Sequence, residues 1–428
     1  MRTILFCWLI VVGSLGMQAQ SDTGTKALAY ARAEVDTLCS PYFAGRGYLD
    51  AGHRKAAEYL AGRFQAMGLQ PGVAGEYFQP FPLEINLVQA AKVSLDGQPL
   101  RAGTDFIVHR LSGAGEGSHR VVDLGYGLEK SQRIRGRVVL FRAGFPPEMA
   151  NDSEARAEYE ELSRVDQRIE ALLPYEPTGF IVLQSKLTAG FARQTYPVPV
   201  IEAQADSLPA RVRKVKWDIR SELTRVESQN VVGFIPGTAH VDSFVYLTAH
   251  YDHLGRYEEA LFAGANDNAS GTAMLLSLAD YFADHPLPYT LVLVAFGGEE
   301  TGLIGSRYMA TQQPLTPLSN IRFLLNLDLM GNGTEGIMAV GGKDFPQPYD
   351  RLVALNDSLQ AVPVVRARSN APNSDHFFFL RQGVEGFFIY TMGGPPHYHD
   401  VNDTAENLEL SKFLEVRELL IAFLAGMG

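Results

Sequence analysis

The sequence predicts an α/β fold, an open sheet flanked by helices and interrupted by an inserted, mostly-β domain. Three observations carry that expectation. After Asn230, apolar β-branched runs alternate with segments whose apolar residues recur at helical spacing. From about Ile85 to Glu227 the texture changes to short strand-like runs separated by glycine and polar turns. Ahead of that stretch lie two helical patterns that offer an apolar face for packing.

Taken in order, residues 1–20 carry one arginine, an apolar run from Ile4 to Val12 and a small, polar end, the pattern of a secretory signal. The chain is therefore expected to be exported, to the periplasm or outside the cell. The apolar run falls short of the roughly 20 residues a spanning helix needs, so no transmembrane span is expected in the mature chain. Cys39 is then its one cysteine, and no intramolecular disulfide can form. Helices are expected over Ala27–Leu38 and Ala51–Met67, split by Ser40-Pro41 and the turn-like AGRG at 44–47, with Ala56, Ala57, Leu60 and Phe64 on one buried face.

Residues 86–228 are expected to form the insert, with strands suggested by AKVSL, RVVDLGYG, GRVVLF, GFIVLQ and YPVPVIEA and one charged helix, Ser153–Leu173. His109 and His119 stand alone there among polar turn residues and read as surface histidines. No His/acid cluster lies in the segment, so it reads as an appendage that can wall a cleft but carries no catalytic group. Residues 21–85 and 229–428 make the main unit. Its strands are predicted at Val231–Phe234, Phe244–Ala249, Thr290–Ala295, Arg322–Asp328, Gly336–Val340 and Gly386–Tyr390, its helices at Gly271–Phe282, Asp350–Gln360 and Ser411–Ala425.

At 428 residues, 46% hydrophobic and 20% charged, the chain is long enough for two or three domains of about 150 residues. A net charge of −11 and a pI near 5.4 argue against nucleic acid or an anionic membrane as the main partner. The sequence leaves the oligomeric state open.

The chemistry gathers at strand ends. His250, Asp252 and His253 close the run FVYLTAHYDHLG, and in an extended chain His250 and Asp252 share a face. Asp267 lies between Gly264 and Gly271, just before a helix. Glu299 and Glu300 follow YTLVLVAFGG, Asp328 ends IRFLLNLD, and His399 sits in the polar turn PPHYHDVNDT. Imidazole and carboxylate without thiolate suit Zn²⁺, and one carboxylate can bridge two ions about 3.5–4 Å apart, leaving an acid over as base. An acid at a strand end is commonly a helix cap, but an apolar strand ending in a His or acid three times over favours metal, because burying an unpaired charge is expensive.

The motifs AHYDHLG, GANDNASG, FGGEETGLIGS, NLDLMG and YHDVNDT resemble those of metallopeptidase family 28, the di-zinc aminopeptidases and their glutamate-carboxypeptidase-like relatives. The likeness spans 230–428; FAGRGYLDAGHRKAAEYLAGRFQAMGLQPG is similar to the family's opening, and 86–228 resembles its inserted protease-associated domain. The resemblance implies the zinc-exopeptidase fold, a mixed open sheet covered by helices on both faces. It implies two Zn²⁺, with Asp267 bridging, His250 and Asp328 completing one ion, and Glu300 and His399 the other. Glu299 would be the general base, and Asp252 would hydrogen-bond the far nitrogen of His250. Tyr398 matches a tyrosine that supports the oxyanion in some relatives, with Tyr390 its competitor, while Asp375 and His376 would wall the cleft. The Asp267–Asn268 peptide bond would be cis.

The implied activity is a secreted zinc aminopeptidase acting on a peptide substrate, with Glu299 taking the proton of the attacking water and passing it to the leaving amine. A glutaminyl cyclase, a glutamate carboxypeptidase or dipeptidase, and a non-catalytic binding ectodomain are the alternatives. The insert speaks against the first, and the full set of ligands and base against the last.

Overall fold

A strand alternates its side chains between two faces, and the central strand His240–His250 buries both. Val245, Leu247 and Ala249 enter a large core with the helices Gly52–Ala66, Gly271–Asp284, Pro346–Leu359 and Phe413–Ala425. Tyr246 enters a second core with Met309, Ala310 and Phe379, from the helices Ile304–Thr311 and Phe377–Arg381. Helices thus cover both faces, and Ala56, Ala57, Leu60 and Phe64 are fully buried in the first layer as expected. The two short helices on the second face have no counterpart in the sequence reading. The computed structural model describes residues 24–427, apart from 129–131, 150–156, 158–161 and 210. The leader 1–20 and most of the first half of the charged Ser153–Leu173 helix lie outside the described residues.

The strand order is Val365–Arg368, Gly336–Val340, Gly386–Met392, Ile321–Leu327, His240–His250, Tyr289–Phe296, Lys214–Ile235. Both neighbours of His240–His250 run parallel to it, while the pairings of Tyr289–Phe296 with Lys214–Ile235 and of Gly336–Val340 with Gly386–Met392 are antiparallel, so the sheet is mixed. From the central strand the chain first goes to the Tyr289–Phe296 side and then to the Ile321–Leu327 side. The carboxyl ends of three adjacent parallel strands therefore open at a point where strand order reverses, the place where open α/β sheets bind ligands.

Phe78–Leu95 pairs with Lys214–Ile235 as a long antiparallel ribbon, from Phe78↔Val231 to Leu95↔Val215. It carries the sheet without a break past residues 85–86 and 228–229, where the sequence changes texture, and among the described residues 15 strands share one sheet. Pro80 and Pro82 hide the first half of this strand from a sequence reading. They are tolerated because the strand has a sheet neighbour on one side only there, so the missing N–H groups break no ladder. Beyond the ribbon, Gly115–Asp123, Val138–Arg142, Gly179–Gln184 and Val200–Gln204 pair in parallel, and the helix Val165–Leu172 packs Ile169 and Leu172 on Val139, Phe141 and Phe180.

His109 is not the surface residue its neighbours in sequence suggest; it is 3% exposed. Its Nε2 lies 3.0 Å from Asp166 Oδ1 and 3.7 Å from Glu202 Oε1, both supplied by distant segments, and its Nδ1 accepts the Leu111 N–H at 3.2 Å. His119 is half-exposed, its ring 5.6 Å from Trp217. The hydrogen bond from His109, helped by the charge of Arg110, holds the Asp166 carboxyl from 3.8 down to about 2 against the opposing effect of burial. A depressed carboxyl stabilises the fold above its ordinary pKa, and that contribution is lost as pH falls through the folded value. After discounting for solvent screening of this half-buried group it amounts to about 1 kcal/mol. Asp166→Asn should therefore lower the melting temperature at neutral pH and flatten its fall between about pH 4 and pH 2. Identical melting curves for the variant and the unaltered chain across that range would count against the pair.

Candidate metal centre

Four of the sequence-predicted residues stand at or just beyond the ends of the parallel strands. His250 is the last residue of its strand, with its carbonyl accepting the Thr272 hydroxyl at 3.0 Å; Glu299 and Glu300 follow Tyr289–Phe296; Asp328 follows Ile321–Leu327. Asp267 comes from the turn Ala265–Ser270 ahead of the helix Gly271–Asp284, and its bond to Asn268 is cis, as the resemblance implies. Gly264 makes that turn possible. At its φ of 60°, a Cβ would lie 2.2 Å from the Asp267 carbonyl oxygen and 2.4 Å from His253 Cδ2. His399 arrives from the far loop with a left-handed backbone, φ 58°.

These side chains meet. His250 Nε2 lies 3.2 Å from Asp267 Oδ1 and 3.3 Å from Asp328 Oδ1, and His399 Nε2 lies 3.1 Å from both Asp267 Oδ2 and Glu300 Oε2. Asp267 thus offers one oxygen to each histidine. Among the described residues, His250, Glu299 and Asp328 bring one ligand atom each within 4.8 Å of one another, and so do His253, Asp267 and Glu300. The donors are all imidazole nitrogen and carboxylate oxygen, a set that fits Zn²⁺ and could hold two ions side by side.

Asp267 and Asp328 are buried, Glu299 and Glu300 less completely so, and the acids do not titrate alike. Burial works to raise Asp267, but the hydrogen bonds from His250 and His399 pull it well below the usual carboxylate range. Burial is likewise outweighed at Glu300, brought down to about 2 chiefly by His399 and His253, and at His399, raised to about 11 chiefly by Glu300. Glu299 goes the other way. Burial, with Asp375, Glu300 and Asp328 nearby, raises it well above its ordinary value, although His250 opposes them.

One expected contact is different. His250 Nδ1 donates to the main-chain carbonyl of Asp252 at 3.1 Å, whereas the nearest Asp252 carboxylate oxygen is 4.0 Å away. The residue still fixes the tautomer of His250, through its backbone. Its carboxylate accepts the Glu299 N–H at 3.1 Å and the Tyr48 hydroxyl at 3.3 Å, because the turn after the strand swings the side chain toward the Gly297–Glu299 loop. Tyr398 stacks on the His399 ring at 3.8 Å and is 52% exposed, at the rim. The Tyr390 hydroxyl takes a contact from Arg368 at 3.4 Å instead. Asp375 and His376 are fully buried and their polar side-chain atoms have no hydrogen-bond partner among the described residues; burial lifts Asp375 to about 7 and lowers His376 to about 3.

Several supporting residues escaped the sequence reading. Asp403 accepts the N–H groups of Asn266 and Asp267 at 2.8 and 3.0 Å and so holds the Asp267 turn. Thr248, Asn326 and Ser374 form a buried relay whose last hydroxyl donates to Asp328 Oδ2 at 3.0 Å. Ala189, inside the supposed appendage, accepts from His399 Nδ1 at 2.9 Å through its carbonyl. His253 was visible as part of a cluster but had no role. Its Nδ1 is 2.6 Å from Glu300 Oε1, while its fully buried Nε2 has no partner among the described residues. A partner of this kind fixes a ligating carboxylate, and losing one typically weakens metal binding about 10–100-fold. His253→Ala should do so, read by zinc competition with a chelator; an unchanged zinc affinity would leave His253 as packing alone.

Residues 230–424 match the family model for Peptidase family M28. The chain is 23% identical over 348 residues to the aminopeptidase YwaD of Bacillus subtilis, covering 77% of this chain and 72% of that one. It is 30% identical over 232 residues to a probable zinc metalloprotease of Pyrenophora teres f. teres, covering 51% of this chain and 46% of the relative, so it spans about half the length of that protein. Among solved structures, BSAP, a zinc aminopeptidase from Bacillus subtilis, superposes with a TM-score of 0.70 at 17% identity over 92% of this chain and 94% of that one, a likeness of fold.

Proposed function

We infer that this chain, a metallopeptidase of family M28 by its residues 230–424, removes amino-terminal residues from peptides with two zinc ions acting as one centre. The observation that carries the reading is Asp267, whose two oxygens face two different histidines at 3.2 and 3.1 Å. On this reading His250 and Asp328 complete one ion, and Glu300 and His399 the other. When bound, the ions polarise the scissile carbonyl and lower the pKa of water to about 7.

The chain supplies the remainder. Glu299, partly exposed beside the ligands, takes the proton of the attacking water and returns it to the leaving amine. Asp252 steadies that base by accepting its N–H and steadies His250 through its own carbonyl. To Tyr398, whose ring stacks on that of His399, we assign the support of charge developing on the carbonyl oxygen. The aminopeptidase name of the Bacillus relative supports the exopeptidase reading. We also propose export, on the strength of the leader 1–20; among the described residues no helix is long and apolar enough to cross a membrane.

The test is zinc analysis alongside aminoacyl-anilides, amino-terminal glutamine peptides and carboxyl-terminal glutamate dipeptides. Two zinc ions per chain and release of the aniline from the aminoacyl-anilides are expected. Cyclisation of the glutamine peptides, or cleavage of the glutamate dipeptides alone, would replace the reading with one of its rivals. Amino-terminal sequencing of the exported protein tests the leader.

A further inference from the structure

His250 and His399 are oriented in the same way but by different parts of the molecule. Each turns Nε2 toward Asp267 and donates from Nδ1 to a main-chain carbonyl, the arrangement that fixes a ligand's tautomer. For His250 that carbonyl belongs to Asp252, two residues away on the same loop. For His399 it belongs to Ala189, 210 residues earlier in the chain and inside the insert.

The contact is one of a set. The Ala189 N–H donates back to the His399 carbonyl at 3.0 Å, so the two residues pair through both groups. Lys186 Nζ donates to the carbonyls of Pro396 and Tyr398 at 2.8 and 2.9 Å and lies 3.8 Å from Asp400 Oδ2. At the other end of the same loop, Phe191 meets the Tyr48 ring edge-on at 5.7 Å, and Tyr48 in turn bonds the Asp252 carboxylate. The His399 backbone is left-handed, a conformation held by its surroundings rather than by its own preference. Its side chain is 13% exposed, against 1% for His250. The docked loop is thus a main source of order for one ligand and touches the other side of the centre only at a distance.

We propose that the insert loop 186–191 is a built part of the Glu300/His399 metal site, so that occupancy of this site depends on the loop being docked while the His250/Asp328 site fills without it. Ala189 and Lys186 are positioning residues in this scheme, and the insert becomes an element through which the second ion can be gained or released. The inference rests on the two-zinc reading and deepens it by making the two sites unequal.

The experiment is a chelator titration of the full-length zinc-loaded chain, with zinc per chain read by native mass spectrometry. Lys186→Met removes the lysine anchor from a side chain that is 42% exposed, and Ala189→Pro removes the N–H that reaches His399. Each variant should release one ion at about 10–100-fold weaker chelator strength than the unaltered chain and hold the other as tightly as before. The retained ion reports that the fold is intact. In a His399→Ala background, Lys186→Met should then change zinc binding no further, because its effect runs through His399. Release of both ions in step with the unaltered chain, or weakening of both together, would overturn the proposal while leaving the two-zinc reading in place. An unaltered chain that takes up a single ion would instead overturn that reading and this inference with it.

Discussion

Glu299→Gln should keep zinc at both sites and lose roughly 10²–10⁴ in kcat, with KM little changed, because the substitution removes the proton acceptor and keeps the size and shape of the side chain. The adjacent glutamates are distinguished by their surroundings. Glu300 is enclosed between His399 at 3.1 Å and His253 at 2.6 Å, with a side chain only 3% exposed. Glu299 is partly exposed, and its main chain is fixed from both sides, its N–H donating to the Asp252 carboxylate at 3.1 Å and its carbonyl accepting the Gly302 and Leu303 N–H groups at 2.8 Å. Its ligand-atom distance to His250 and Asp328 also suits a third ligand of that ion, and the variant separates the two roles. A base variant holds its metal and turns over slowly, whereas a ligand variant loses an ion. Glu300→Gln is the comparison and should shed zinc from the His399 side. If instead Glu299→Gln sheds zinc and Glu300→Gln keeps it, the two roles have been exchanged.

Most residues of the candidate centre were legible because of where they stand. An apolar strand that ends abruptly in a histidine or acid marks both the boundary and the cost of burying that group, so His250, Glu299, Glu300 and Asp328 could be read from local pattern. The convergence of Asp267 and His399 on them needed the motif resemblance as well. What could not be read divides into three physical kinds. Backbone acceptors such as the carbonyls of Ala189 and Asp252 leave no trace in residue type, so a contact between the insert and His399 has no sequence signal. Side chains buried by distant partners look like surface residues among their sequence neighbours, and His109, with Asp166 from a helix far along the chain, is the example. The third kind is a strand whose own residues mask it. Pro80 and Pro82 interrupt the apparent alternation of Phe78–Leu95, yet at an edge they break no hydrogen bond, so the ribbon joining insert and main sheet was seen in part only.

Arg46→Met should destabilise the fold by about 4 kcal/mol or more, lowering the melting temperature on the order of 10 °C, the largest stability effect expected of any single substitution here. The sequence reading passed over AGRG as a turn. In the structure Arg46 is fully buried and its guanidinium donates to four main-chain carbonyls: Tyr251 at 2.7 Å, Leu38 at 3.1 Å, Ala263 at 2.6 Å and Gly264 at 2.7 Å. Those carbonyls belong to the end of the first helical segment, to the loop after His250, and to the turn that presents Asp267. One planar fork with five donors therefore ties together the pieces that carry two of the expected ligands. Methionine matches much of the volume and none of the donors, leaving buried acceptors unsatisfied at about 1–3 kcal/mol for each one that cannot find another partner. Arg46→Lys is the informative companion. Its ammonium has three donors on a flexible stem and cannot span the fork, so it should recover part of the loss and not all of it. Because the clamp sets the separation between the His250 loop and the Asp267 turn, both variants should also bind zinc more weakly than the unaltered chain at a temperature where they remain folded. Thermal unfolding followed by circular dichroism, with and without added zinc, reads both effects. A methionine variant that melts within a degree or so of the unaltered chain would mean that water or a local shift satisfies the four carbonyls, and that the clamp holds nothing together.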